Sequence, residues 1–258
     1  MESTNGSGDA VKSNETLFDV VEGLAELSGA TGTELAAHID QPESTVYRHL
    51  QSLSRREYVV RADGEYRLGF RFLNLGSEVQ RDTAQFAYLD QKLRGLARET
   101  GEVVQLVHEE HGRGCVVLSK RGDGAVKAGT HVGSQVPLHQ TAGGKAILAA
   151  LSGERRESIL ARRGLPANTP QTITDRDDLR NELETIRDRG FAIAMGDRIE
   201  ELWSVGVAIA DSDGGVFGAV NVAAPAHRLE GEWFATDLPR TLVGVANEIE
   251  LQINQLSG

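Results

Sequence analysis

Residues Gly32–Leu68 read GTELAAHIDQPESTVYRHLQSLSRREYVVRADGEYRL, and their spacing decides the N-terminal architecture. Thr33 can cap a short helix, Glu34–Ile39, with Leu35, Ala36 and Ile39 turned inward. Gln41-Pro42 makes a tight turn, and proline suits a helix start because its missing N–H would have no intrahelical partner anyway. Glu43–Arg56 then carries Val46, Leu50 and Leu53 on one helical face. Tyr58–Arg61 and Glu65–Leu68 alternate about Ala62-Asp63-Gly64, the pattern of a β-hairpin. Upstream, Leu17, Val20, Val21, Leu24 and Leu27 recur at helical spacing over Asn14–Leu27, and Gly29 and Gly32 are expected to stop that helix. Helix, helix, tight turn, helix, hairpin is a winged helix-turn-helix. Its small core is expected to comprise Leu24, Leu27, Leu35, Ile39, Val46, Leu50 and Leu53.

The outward residues of the third helix would be Ser44, Thr45, Tyr47, Arg48 and Gln51. Side chains of these types can reach base edges in a major groove, where Arg can fork onto guanine and Gln onto adenine. Thr33, and Arg61 and Arg67 on the hairpin, complete the expected DNA contacts. The competing reading is a winged-helix interaction module with a solvated polar face. Charge distribution separates the two. The whole chain has 258 residues and a formal charge of −11. From residue 1 to 42 eight acids face only Lys12, whereas from 43 to 72 Arg48, Arg55, Arg56, Arg61, Arg67 and Arg71 outnumber Glu43, Glu57, Asp63 and Glu65. The chain turns basic where the recognition helix and wing fall, which favours DNA.

Lysine is scarce: Lys12, Lys92, Lys120, Lys127 and Lys145 are the whole set. An acid-rich, lysine-poor chain fits a salt-adapted host, where a DNA binder must lean on base contacts and shape because counterion release weakens with salt. The polar stretch Met1–Ala10 reads as a disordered leader and not a signal peptide. Cys115 is the single cysteine, so no intramolecular disulfide can form. With no apolar run long enough to span a bilayer, a cytoplasmic protein is expected, without a membrane partner.

Beyond the hairpin, Phe70–Thr100 is helical with a break near Asp82-Thr83, which reads as a linker helix followed by a helix from about Phe86 to Thr100 that opens the second domain. Candidate strands are Val103–His108, Cys115–Lys120, Val126–Thr130, Phe191–Ala194, Val205–Ala210 and Val216–Ala223. Helices are expected at Thr141–Leu151, Glu154–Arg163, Asp175–Arg189 and Leu238–Leu256. Strands first and last with helices between suggest an α+β sensor domain built on one antiparallel sheet. The expected division is a leader (1–10), a winged helix-turn-helix (11–71), a linker helix (72–85) and an effector domain (86–258). Thr141, Ala142, Gly143 and Gly144 open a helix, and such a Gly-rich turn aims free N–H groups and a positive dipole end at an anion. The bland reading is that these glycines only let the helix pack on the sheet.

Several stretches together resemble the isocitrate lyase regulator (IclR) family of transcription regulators. In the first half these are Gly32–Ala36, Glu43–Leu50 and Tyr66–Gly69; in the second, Pro137–Ala149 and Gly190–Ala192. The likeness runs from about Lys12 to Leu256. It implies a GAF-like effector domain for a small organic-acid, aromatic-acid or sugar-acid metabolite. It implies homodimers or dimers of dimers on a palindromic operator, control of catabolic genes as repressor or activator, and no cofactor. On this chain it places Ser204 and Asn221 as polar pocket positions and Leu202 and Ala128 as apolar walls, to which Met195 and Ala223 are added. Ala194-Met195-Gly196 stands where the family shows an acidic or amide cluster, so a less polar pocket is expected, which fits either a different, more apolar ligand or a regulator without a functional ligand pocket.

Two other chemistries find little support in the residues. Ser204, His139 and an acid do not make a hydrolase, because no Gly-x-Ser-x-Gly turn frames a serine. His108, His111 and Cys115 share one strand-turn-strand stretch, but helical spacing and a fourth ligand are lacking for zinc. Neither a catalytic nor a metal site is expected.

Overall fold

The computed structural model describes residues 11–81, 86–126, 129–229 and 231–256. The chain divides between residues 82 and 83 into two compact units.

The first unit is a helical trio with a wing. Helices α1 (Lys12–Glu26), α2 (Gly32–His38) and α3 (Glu43–Arg55) precede strands β1 (Val59–Ala62) and β2 (Glu65–Leu68), followed by α4 (Arg71–Arg81). The wing closes through Asp63 and Gly64, both at positive φ, with Ala62 paired to Glu65. Two left-handed residues match the right-handed strand twist, which is why Asp-Gly serves here. Val20, Leu24, Leu35, Val46, Leu50 and Leu53 bury together with Ala30, Val59 and Tyr66.

Three expectations for this unit are corrected. The cap of α2 is Thr31, not Thr33: Thr31 Oγ1 accepts from Glu34 N at 3.2 Å and Glu34 Oε2 accepts from Thr31 N at 2.9 Å, a reciprocal box that draws Gly32 and Thr33 into the helix. The first helix is ended by Ser28 and Gly29, both at positive φ, and Gly32 plays no part in stopping it. Leu27, one residue past the helix, is exposed and leaves the core.

The second unit is an antiparallel six-stranded sheet in the order β5-β4-β3-β8-β7-β6. Its elements in chain order are α5 (Phe86–Thr100), β3 (Val103–Glu110), β4 (Arg113–Arg121), β5 (Gln135–Pro137), α6 (Ala142–Ala150), α7 (Gly153–Arg163), α8 (Arg176–Arg189), β6 (Ala192–Met195), β7 (Leu202–Ala210), β8 (Val216–Pro225) and α9 (Leu238–Leu256). Alternation along the strands sorts two faces. Val104, Leu106, Val205, Val207, Ile209, Val220 and Val222 pack under α5 and α9. The other face presents Val107, Ala192, Ala194 and Ala219 to α6, α7 and α8. Small residues there let a helix come close and leave room beside it.

No strand is present at residues 126, 129 and 130, the described part of the expected Val126–Thr130 strand; Lys127 and Ala128 lie outside the described residues. The sheet edge is instead Gln135–Pro137, with Gly114 opposite Val136. Gly129 and Gly133 at positive φ bend the intervening chain away from a ladder.

Candidate functional sites: a recognition helix and a buried pocket

On α3, Ser44, Arg48 and Gln51 are exposed and Thr45 is half-buried. Arg48 Nη2 donates to Thr45 Oγ1 at 3.4 Å, one turn back on the same face. His49 and Ser52 continue that face beside Arg48 and, with Lys12, Thr16, Gln41 and Thr45, line a groove against α1. Neither residue was among the sequence candidates, although helical spacing from Thr45 and Arg48 reaches both. Tyr47 turns inward: a Cβ added at Gly32 would lie 2.5 Å from its ring, and its ring meets Tyr66 edge-on at 6.4 Å. Tyr47 therefore packs the helix pair, and its expected outward position is corrected. Thr33 is exposed and donates to Glu43 Oε2 at 3.2 Å, tying α2 to the first turn of α3. On the wing, Arg61 stacks 5.2 Å over Tyr66, while Arg67 pairs with Glu65 at 2.9 Å and lies across Gly29.

In the second unit a narrow pocket with a cavity volume of about 40 Å³ sits on the small-residue face. Thr141, Leu202, Ser204, Asn221 and Ala223 line it, together with Gln105, Val107, Val116, Thr130, Val136, Gln140, Ala194, Asp197, Arg198 and Ile199. The sheet places the polar members. Gln105 on β3 is the register partner of Asn221 on β8, and Ser204 on β7 pairs with Ala223 and Ala194. Gln105 Nε2 donates to Thr130 Oγ1 at 2.9 Å, and Gln140 Nε2 donates to the Pro166 carbonyl at 2.8 Å.

The glycine-rich start of α6 does something other than the expected anion contact. Gly143 N–H donates to Asn221 Oδ1 at 3.1 Å, and Gly144 N–H donates to its own cap, Thr141 Oγ1, at 3.1 Å. Ala142, Gly143 and Gly144 are buried and do not line the pocket. Their smallness serves packing: a Cβ at Gly144 would lie 2.1 Å from the Leu138 carbonyl oxygen, and one at Gly206 only 2.5 Å from Gly143 N. Met195 is also corrected. Strand alternation points Ala194 into the pocket and Met195 away, leaving it 45% exposed. Ala128 lies outside the described residues.

The surface lining the pocket is mostly apolar, and its polar groups come from Gln105, Thr130, Gln140, Thr141, Asp197, Arg198, Ser204 and Asn221 rather than from Ala194–Gly196. Gln105 carried a sequence signal, a lone amide inside the apolar run Val103–Val107; Arg198 carried none, being one charge among several in a loop. Beneath the pocket, Lys145 Nζ and Asp197 Oδ2 form a buried pair at 2.7 Å, and Asp197 Oδ1 accepts from Met195 N at 2.8 Å. Such a pair holds elements in register more than it stabilises, since desolvation offsets much of its attraction. His139, buried beside it, has its pKa lowered by burial, against the opposing effect of its contact with the Pro166 carbonyl at 3.1 Å. His108 engages the Phe217 carbonyl, and no group of three His, Cys, Asp or Glu side chains suited to a metal gathers among the described residues.

A winged helix that presents a polar helix face, joined in one chain to an α+β unit with a lined pocket, defines a ligand-responsive DNA-binding regulator. Residues 83–250 match the family described as "Bacterial transcriptional regulator IclR C-terminal", and residues 16–63 match the "IclR helix-turn-helix domain". The chain belongs to the IclR family of DNA-binding transcription regulators, with an N-terminal helix-turn-helix and a C-terminal α+β ligand-binding domain. It is 30% identical over 254 residues to the "Probable HTH-type transcriptional regulator ArcR" of Halobacterium salinarum, covering 96% of each chain. To the transcriptional repressor AllR of Escherichia coli K12 it is 26% identical, over 82% of this chain and 79% of the relative. The crystal structure of IclR from Thermotoga maritima superposes with a TM-score of 0.78 at 26% identity, covering 93% of this chain and 98% of that one. A Microbacterium hydrocarbonoxydans IclR homologue, solved with 4-hydroxybenzoate, shares the fold at 23% identity and a TM-score of 0.74, covering 93% of this chain and 99% of that one. These relatives are transcriptional regulators, not enzymes. Among the described residues no helix is long and apolar enough to cross a membrane.

Proposed function

We propose that this chain is a cytoplasmic regulator of metabolic genes that binds double-stranded DNA as a homodimer and releases or engages it in response to a small organic acid. The observation that carries the DNA reading is the exposed face of α3, with Arg48 at its centre between Ser44, Gln51 and Ser52. Arg61 and Arg67 on the wing would lie on phosphates flanking the groove. Phe70 is 91% exposed and Leu73 and Val79 on α4 also stand in solvent, more apolar surface than a solvated helix carries; it supports a second copy of the chain as partner. Phe72, by contrast, stacks on Tyr58 within the unit. Two copies related by a twofold axis would read a palindromic site. The pocket in the second unit is the effector site in this reading. Effector and DNA are then coupled through differential affinity for two arrangements of the dimer. No catalytic role is assigned to the chain.

The test is a footprint on the DNA upstream of the genes flanking its own. Arg48→Ala, which removes an exposed side chain from a helix built on Val46, Leu50 and Leu53, is expected to keep the melting temperature and to lose specific protection. A bidentate Arg–guanine contact is worth about 1–3 kcal/mol, so the specific affinity falls roughly tenfold to a hundredfold. An unchanged footprint from a folded Arg48→Ala protein overturns the assignment of α3.

A further inference from the structure

Helical spacing divides the solvent side of α3 into two rows. Ser44, Arg48, Gln51 and Arg55 look outward, whereas Thr45, His49 and Ser52 lie on the flank that turns to α1. The groove between that flank and the first turn of α1 has a volume of about 560 Å³, wide enough for a stretch of sugar-phosphate chain. Lys12, which lines it from α1, is the single base among residues 1–42, against eight acids. Among the described residues neither its ammonium nor the His49 ring has a hydrogen-bond or ion-pair partner. No described carboxylate lines the groove: Glu15, Asp40 and Glu43 adjoin lining positions in sequence but stay outside it. The hydrogen-bonding groups that remain are weighted to donors. Thr16 Oγ1 donates to the Lys12 carbonyl at 3.1 Å and Ser52 Oγ to the Arg48 carbonyl at 3.0 Å, so neither proton is left for an occupant. Lys12 Nζ, the His49 ring, the Thr45 hydroxyl proton and the other N–H groups of Arg48 are left.

We infer that this groove seats a backbone phosphate of the bound DNA, and that Lys12 and His49 are the positioning residues that fix how α3 enters the major groove. The inference rests on the reading of α3 as the recognition helix and names where the strand beside it is held. A phosphate carries charge and only accepts hydrogen bonds, which matches a surface of donors, and such contacts set register without reading sequence. Arg48 belongs to both the outward row and the groove, so an occupant of the groove lies against the helix that meets the bases. The strand bordering the major groove is placed to be that occupant. The rest of α1 narrows its path. Glu15, Asp19, Glu22 and Glu26 stand exposed on successive turns, and a phosphate chain laid along them would be repelled. Only the turn that carries Lys12 lets the strand come close.

The test measures binding of the full chain to two duplexes of equal length, the protected upstream site and a mixed sequence, over a series of KCl concentrations. Lys12→Met is expected to weaken both by a similar factor, roughly threefold to tenfold per chain bound. It is also expected to make the fall of log affinity with log salt shallower by about 0.9 per chain, the effect of one counterion no longer released. Lys12→Arg is expected to keep the parent's slope. His49→Ala is expected to weaken both duplexes alike, and His49→Gln, which keeps a donor, to weaken them less. Lys12 is exposed, so its variants are expected to melt with the parent; a merely structural lysine would move the melt and leave the salt slope alone. Arg48→Ala, by contrast, is expected to weaken the protected site more than the mixed duplex. The seat is overturned if Lys12→Met keeps the parent's slope, if it weakens the protected site alone, or if His49→Ala leaves both affinities unchanged. If the parent binds neither duplex, the reading of α3 itself fails and the seat falls with it. If the parent binds and Arg48→Ala removes its preference while Lys12→Met is silent, only the seat is lost.

Discussion

His139 sits in the turn before α6, 3% exposed, and faces a carbonyl and the buried Lys145–Asp197 pair. Burial depresses its pKa, so the folded protein holds the neutral ring while the unfolded chain titrates near its ordinary value, about 6.5. Between the two values the unfolded state binds the extra proton, so stability rises with pH there. The contribution is fully present above the unfolded value and is lost as pH falls through the folded one. Urea midpoints followed by a probe in the second unit are expected to be lower at pH 5.5 than at pH 7.5. His139→Gln, which keeps a donor for Pro166 but cannot titrate, is expected to flatten that difference. An equal slope in the variant would place the acid sensitivity elsewhere. The position of His139 in a loop-to-helix motif was legible in the sequence. Its burial was not, because that depends on Pro166 closing over it from the connection between α7 and α8.

The helix-turn-helix shows how nearly local rules suffice, and where they slip by one step. Two threonines, Thr31 and Thr33, could each cap α2, and only the reciprocal bond with Glu34 selects Thr31. Replacing a cap hydroxyl by alanine costs about 0.5–2 kcal/mol. Thr31→Ala is therefore expected to lower the stability of the first unit by about that amount, whereas Thr33→Ala, with one exposed contact to Glu43, is expected to be near neutral. Chemical denaturation of both variants checks this, and a costlier Thr33→Ala would reverse the assignment. Long periodic elements needed no such arbitration: the spacing predicts helices over Phe86–Thr100 and Leu238–Leu256, and α5 and α9 have those bounds. The short edge strand β5 escaped because three residues ending in proline carry no period to read. The start of α6 misled for a different reason. A row of glycines looks the same whether a ligand or a sheet approaches it, and Gly206 and Asn221, far along the chain, are what make it a packing seam.

At the scale of the molecule, charge is the dominant feature. Acids outnumber bases by 38 to 27, and Lys145 is held in a buried pair. Exposed pairs such as Arg180–Asp177 and Arg240–Asp237 offset little of the repulsion, since surface ion pairs are each worth about 0–1 kcal/mol. Salt screens that repulsion, the Debye length shrinking from about 10 Å at 0.1 M to about 3 Å at 1 M. The melting temperature is therefore expected to rise by several degrees, on the order of 1–2 kcal/mol of stability, between 0.1 and 2 M KCl. A salt-independent melt would remove the case for adaptation to a saline cytoplasm. Both this charge balance and the two-part architecture could be read from the chain. The polarity of the pocket could not, because Gln105, Gln140 and Arg198 come from three distant stretches that only the folded sheet gathers.

The loop between β6 and β7, which brings Asp197 and Arg198 to the pocket, has a consequence for how such sensors diversify. Three side chains from one connecting segment, Asn168, Thr169 and Thr172, hold its backbone through its carbonyls, and a carbonyl is present whatever the side chain. Residues 198–201 can thus be exchanged without altering the anchors, while the amide wall on β3 and β8 stays in place. In the proposed effector reading the loop is an exchangeable segment clipped into a fixed frame, and transplanting those four residues tests whether it takes part in selecting the effector.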